Sequence, residues 1–168
     1  MAIYVTSDAH GHVRALDEAL SKISLTSDDT LYVLGDMIDR GPDPVGVINL
    51  VRSLPNARVL KGNHEQIMLD AIIGQDPLDA ETWDINGGWT TRQQLNEMEF
   101  ETYEELVRWA AALPLYAVTE TVERPYLLVH AGIQTEAART FLLEHGVDCA
   151  DGRGAVDANS CLLYTSDA

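Results

Sequence analysis

Residues 30–41 read TLYVLGDMIDRG. The first five are aromatic, aliphatic or β-branched and follow the polar run Ser27-Asp28-Asp29, a length and composition that predict a short buried strand. At Gly35-Asp36 the text changes to a loop carrying two aspartates, an arginine and a second glycine. Three other segments repeat this plan: SDAHGH at 7–12, GNHE at 62–65 and VHAG at 129–132. Each follows a short apolar run, at 3–6, 58–60 and 127–129 respectively. Loops at the carboxyl ends of strands in an open α/β sheet gather on one edge. Four such loops, rich in Asp, His and Asn, are therefore expected to form one site.

The residue types suit metal binding. Asp8 and His10 are two apart, so an extended segment presents both to one side. Asp36 has two carboxylate oxygens and can bridge two ions. Asn63 and His130 add an amide oxygen and an imidazole, a donor set that fits Mn, Fe, Zn or Mg. Each motif alone is ordinary: Asp-x-His is common, Gly-Asn-His makes turns, and Asp-Arg-Gly reads as a surface ion pair before a turn. His130 alone reads as a satisfied core histidine. Their order, each at a strand end, is what carries the expectation of a shared site.

Working outward, strands are expected at 2–6, 30–34, 57–60, 115–119 and 126–130, with Glu123, Arg124 and Pro125 in the last turn. Val13, Leu16, Leu20 and Ile23 recur at helical spacing, as do Val45, Ile48, Val51 and Leu54 after Pro44. Further helices are expected at 67–73, 90–98 and 103–113, the last ended by Pro114. The polar stretch 74–86 reads as irregular. Residues 136–145 read as a helix stopped by Gly146. This alternation points to an α/β layered fold.

Composition narrows the function classes. The chain has 168 residues, fitting one domain, and a net charge of −16 from 11 basic and 27 acidic residues. That balance argues against nonspecific nucleic-acid binding and against docking on anionic lipid. It does not argue against a phosphate substrate, because bound ions dominate the local field. No apolar run is long enough to span a bilayer, and the N-terminus lacks a signal-peptide pattern. A cytoplasmic location is the expectation. Cys149 and Cys161 are the two cysteines, and their spacing suggests neither a zinc knuckle nor a disulfide framework.

Together, SDAHGH, GDMIDRG, GNHE and VHAG resemble the phosphoprotein phosphatases, within the calcineurin-like metallophosphoesterases, over about residues 2–134. Asn86-Gly87-Gly88 adds to the likeness to bacterial and phage members. Ser7 stands where the family usually has glycine. The resemblance implies a β-sandwich flanked by helices and two divalent metals, with Mn the leading choice. It implies that Asp8 and His10 bind the first ion, Asp36 bridges, and Asn63 and His130 bind the second. Arg40 grips phosphate oxygens, as a planar guanidinium does well. His64 is the general acid and Asp39 orients it. The implied reaction is in-line attack by a metal-bound hydroxide. Bland roles are expected elsewhere: His12 capping a helix or facing solvent, and Trp83 and Trp89 packing a helical cap or lining a groove. Glu97, Glu99, Glu101, Glu104 and Glu105 are expected on a solvated helix surface.

The family has a further metal-binding histidine in a Gly-His segment after His130, and usually a second phosphate-binding arginine. His145, Arg139 and Arg153 lack the matching context. The expectation is therefore a metallophosphoesterase domain over 1–150 that stops before its last ligand, then an irregular tail at 151–168. The closing SCLLYTSDA resembles translated adaptor or vector sequence. The leading functional expectation is a protein serine/threonine phosphatase acting on a phosphorylated protein or small phosphoester. The alternative is a symmetrical dinucleoside tetraphosphate hydrolase, whose branch typically has Asp where Glu65 stands. A third is a fragment that binds metal or partners without turnover.

Overall fold

The computed structural model describes residues 1–74, 76–121, 125–132 and 140. The chain divides into two units, Met1–Leu115 and Tyr116–Ala168. The first unit is organised on a three-stranded parallel sheet of β1 (Ile3–Thr6), β2 (Thr30–Val33) and β3 (Ala57–Val59), in that order. Parallel strands need crossovers, supplied by α1 (Val13–Ile23) and α2 (Pro44–Ser53). The central strand β2 lacks alternation because it is covered on both faces: Leu31, Tyr32 and Val33 are all buried.

Helix α2 starts where its residues dictate. The Asp43 side chain accepts from Gly46 N at 2.9 Å and Pro44 occupies the first turn, satisfying one orphan amide and removing another. Its buried stripe is Pro44, Val47, Ile48 and Val51; Ile48 and Val51 were expected, while Val45 and Leu54, also expected, are half-buried. After β3 come α3 (Asn63–Ile73), α4 (Pro77–Ile85), α5 (Trp89–Asn96) and α6 (Phe100–Ala111). Met68, Leu69, Trp83, Leu95, Leu106, Val107 and Ala110 from these helices join Leu31, Val33, Met37, Ile38, Val47, Ile48 and Val51 in one core. The five glutamates at 97–105 are exposed, as expected.

Two expectations for this unit are corrected. Helix α3 begins at Asn63, four residues before the apolar period shows, so GNHE is the first turn of a helix and not only a loop. The stretch 74–86, expected to be irregular, holds α4. Its Asp76 side chain caps Leu78 N at 2.9 Å and Pro77 opens the first turn. Trp83 is its one buried residue, so no apolar stripe betrays it.

The second unit contains an antiparallel pair, β4 (Tyr116–Glu120) and β5 (Pro125–Val129), with Tyr116 opposite Val129. Both strands lie one residue from their expected bounds. The expected helix at 136–145, apart from Thr140, and the tail at 151–168 lie outside the described residues. Among the described residues, no helix is long and apolar enough to cross a membrane.

Candidate active site

The β1–β2 ladder does not stop where the strands stop. Leu34 N donates to Thr6 O at 2.8 Å, Asp8 N to Gly35 O at 3.1 Å, His10 N to Asp36 O at 2.9 Å and Gly11 N to Met37 O at 2.8 Å. The SDAHGH and GDMIDRG segments therefore run side by side beyond the sheet edge. Their backbone is strained. Asp8, His10, Asp36, Asp39 and Arg40 take φ of 56°, 39°, 52°, 67° and 65°. Such left-handed conformations are costly for side-chain-bearing residues and persist only where surroundings over-determine them. Ser24, which ends α1, is the one other such non-glycine residue among those described.

These turns bring three expected residues together. His10 Nε2 lies 3.7 Å from Asp36 Oδ2 and 4.0 Å from Asp8 Oδ1. His10 Nδ1 is 2.9 Å from Ile38 O, a contact that only an N–H can make. The lone pair is thereby left on Nε2, on the carboxylate side. His64, on the first turn of α3, mirrors it: Nδ1 is 2.7 Å from Asp39 Oδ2 and Nε2 is 4.0 Å from Asp36 Oδ2. The two rings meet edge to face with centroids 4.7 Å apart. Donor atoms of His10, Asp36 and His64 all lie within 4.8 Å of one another. Two imidazoles, each oriented through its far nitrogen, beside a carboxylate are a donor set that fits a divalent ion. His64, expected as an acid, is thus within reach of the same ion as His10.

Asp36 also serves α3. Its Oδ1 accepts from His64 N at 3.0 Å, so a carboxylate from another loop caps the positive end of this helix. Gly62 makes this approach possible, because a Cβ there would overlap Asp36 Oδ1 and the Asp36 backbone N. Asn63 is the first residue of α3 and exposed. Arg40 is exposed, with Nη1 3.3 Å from His10 Nε2. Its backbone N donates to Gly87 O at 3.0 Å, which ties the Asn-Gly-Gly segment to the site. His130 directly follows β5 in the second unit. His12 stands at the start of α1, exposed, without a side-chain capping bond.

Three functional supports escaped the sequence reading. Glu65 is fully buried, and its carboxylate accepts from Asp36 N, Met37 N and Gly62 N, each at 2.8 Å. It locks the Asp36 loop to the GNHE loop. Burial pushes the Glu65 carboxyl above the usual carboxylate range and the Asp36 charge adds to this, against the pull of the three amides. The signal was present in part, since Glu65 stands three residues after the helix N-cap, where acidic side chains bond back. Trp83 and Thr91, both buried, donate to Asp39; nothing in their spacing announced it.

A family model described as Calcineurin-like phosphoesterase matches residues 1–152. The chain belongs to this family. Among similar curated proteins of the calcineurin-like phosphoesterases are those named symmetrical bis(5'-nucleosyl)-tetraphosphatase. That of Erwinia tasmaniensis is 31% identical over 79% of this chain and 45% of its own length. That of Proteus mirabilis is 32% identical with the same coverages. That of Salmonella paratyphi C is 30% identical over 100% of this chain and 55% of its own length. The chain thus spans about half the length of these relatives. A metallophosphoesterase from Sphaerobacter thermophilus superposes with a TM-score of 0.50 at 28% identity, over 70% of this chain and 42% of that one. A Saccharomyces cerevisiae protein serine/threonine phosphatase shares the fold, with a TM-score of 0.55 at 21% identity over 79% and 38%.

Proposed function

We propose that this chain carries the catalytic half-sites of a metal-dependent hydrolase that splits symmetrical dinucleoside tetraphosphates into two nucleoside diphosphates. The approach of His10 Nε2 to Asp36 and Asp8, at 3.7 and 4.0 Å, supports the metal-dependent chemistry. The name shared by relatives at 30–32% identity supports the substrate, and moves it away from the phosphoprotein expected first. Likeness to a protein phosphatase at 21% identity speaks for the fold alone.

In this reading Asp8, His10 and Asp36 would hold one divalent ion and Asn63 would contribute to a second, with Mn the leading candidate. When bound, the pair lowers the pKa of water and offsets charge on the phosphoryl oxygens. The protein supplies the rest. Arg40, exposed at the rim, takes a nonbridging phosphate oxygen through its fork of N–H groups. His64 presents Nε2 toward the reacting side and hands a proton to the leaving oxygen, while Asp39 fixes the opposite nitrogen. Water adds across the central P–O–P bridge, so each product leaves with two phosphates.

Glu65 was expected to separate the substrate branches, since Asp is typical of the tetraphosphatases. Its carboxylate lies inside the loops, on backbone amides. It therefore bears on loop packing and touches no substrate. The deciding experiment is turnover of diadenosine tetraphosphate beside a phosphoserine peptide, with Mn supplied and products separated by ion exchange. Adenosine diphosphate as the sole nucleotide product supports the proposal. Phosphate release from the peptide with the dinucleotide intact overturns it.

A further inference from the structure

We propose that Trp83 and Thr91 are positioning residues: they clamp Asp39 and thereby fix the orientation of His64. Asp39 and His64 are both fully buried, so bulk solvent reaches neither. Asp39 is instead held by protein donors. Trp83 Nε1 lies 3.0 Å from Oδ1 and 3.1 Å from Oδ2, straddling the carboxylate. Thr91 Oγ1 accepts from Asp39 N at 2.9 Å and lies 2.6 Å from Oδ1. A hydroxyl has one proton. Because the amide brings its own, the Thr91 proton goes to Oδ1. The remaining direction of Oδ2 is then taken by His64 Nδ1 at 2.7 Å.

This arrangement has a consequence for the imidazole. With every other contact of the carboxylate filled by a donor, the nitrogen on Oδ2 carries a hydrogen. Nε2 is thereby directed toward Asp36, 4.0 Å away. An indole that spans both carboxylate oxygens also resists rotation about the Asp39 side-chain bond, which the His64 ring would otherwise follow. The Asn-Gly-Gly segment gains a second purpose. Gly88 lies against the Trp83 indole, and a Cβ there would overlap the ring, so the missing side chain seats the tryptophan that straddles Asp39.

The proposal rests on His64 acting at the site, and its test separates the two claims. In the full chain, Trp83→Phe keeps an aromatic ring in the core and removes the N–H; Thr91→Val removes the hydroxyl, and Thr91→Ser keeps it. Phe and Val are expected to lower kcat about 10- to 100-fold, the usual effect of losing an orienting partner, with KM unchanged. Ser is expected to retain activity. In a His64→Asn background, Phe and Val should add no further loss, because residues acting through one group are not additive. An equal loss in both backgrounds assigns Trp83 and Thr91 to stability alone and overturns the proposal. A second readout needs no turnover. In ¹⁵N-histidine spectra, a low-field Nδ1 proton of His64 should be present in the parent and lost or displaced in Trp83→Phe. An unchanged Nδ1 signal in both variants also overturns it. If the parent hydrolyses no phosphoester, the functional reading fails and the spectra alone decide this one.

Discussion

Removing the Glu65 carboxylate should loosen the two loops that meet over α3, by an amount the hydrogen bonds set. Three buried amides, of Asp36, Met37 and Gly62, each donate to it at 2.8 Å. Oε2 takes two of them and Oε1 takes one. Glu65→Ala orphans all three, at roughly 1–3 kcal/mol each. Relief of the repulsion between Glu65 and Asp36, which raises the Glu65 pKa, offsets part of this. The net expectation is a loss of about 3–5 kcal/mol. Glu65→Gln keeps one oxygen for two amides and turns its NH₂ against the third, which leaves that amide and the NH₂ itself unmet and costs about 2–3 kcal/mol. Urea unfolding followed by tryptophan fluorescence gives both numbers, with the midpoint read at constant slope. Alanine must cost more than glutamine. If the two variants unfold together, or both lie within about 0.5 kcal/mol of the parent as a surface change would, the loop-locking role is refuted.

Asp29 accepts from Ala2 N at 2.5 Å, Thr26 Oγ1 at 2.7 Å and Thr26 N at 3.1 Å, and these bonds hold its carboxyl below the usual range. A depressed folded pKa gives stability that is present above the unfolded value and lost as pH falls through the folded one. Asp29→Asn should therefore melt lower at neutral pH, with the gap closing in acid; a gap that widens in acid contradicts this. Gly62→Ala should cost about 1–3 kcal/mol by overpacking and lower metal content measured after dialysis, since its Cβ meets Asp36. A variant with full stability and full metal content would show that the loop has room to move. Asp36→Asn should lose both metal and turnover, whereas His64→Asn should lose turnover and keep metal. Equal metal loss in the two would make His64 a ligand, an outcome its place beside His10 and Asp36 allows.

The parallel sheet was legible because its strands are short apolar runs, each punctuated by a glycine-bounded polar loop. The helices were legible where an apolar stripe packs on a core, as Val13, Leu16 and Leu20 of α1 do, and illegible where Trp83 alone does so, as in α4. There the capping aspartate and the proline of the first turn were the available signs, and no period accompanied them. Helix α3 was caught late for a different reason. Its first turn is spent on three polar residues that break the apolar pattern: Asn63 is exposed, His64 bonds Asp39, and Glu65 bonds the backbone amides of the two loops.

The site divides along the same line. Divalent ions are held mostly by carboxylate, imidazole and amide side chains, so Asp8, His10, Asp36, Asn63 and His130 stand out as candidate donors by type before any geometry is known. Their supports answer to a weaker demand. Glu65 meets Asp36 across 29 positions, and Trp83 and Thr91 meet Asp39 across 44 and 52. Each needs only to place an acceptor or a donor at the right distance. Several residue types meet that demand if the backbone adjusts, so no fixed letter marks the position. At residue 65 the adjustment has a size. Aspartate is one methylene shorter, so its oxygens fall about 1.5 Å short unless the Asp36 and Gly62 loops close by that distance. A Glu-or-Asp difference at 65 is therefore a difference in how closely these two loops pack, made from behind the site and not by contact with substrate.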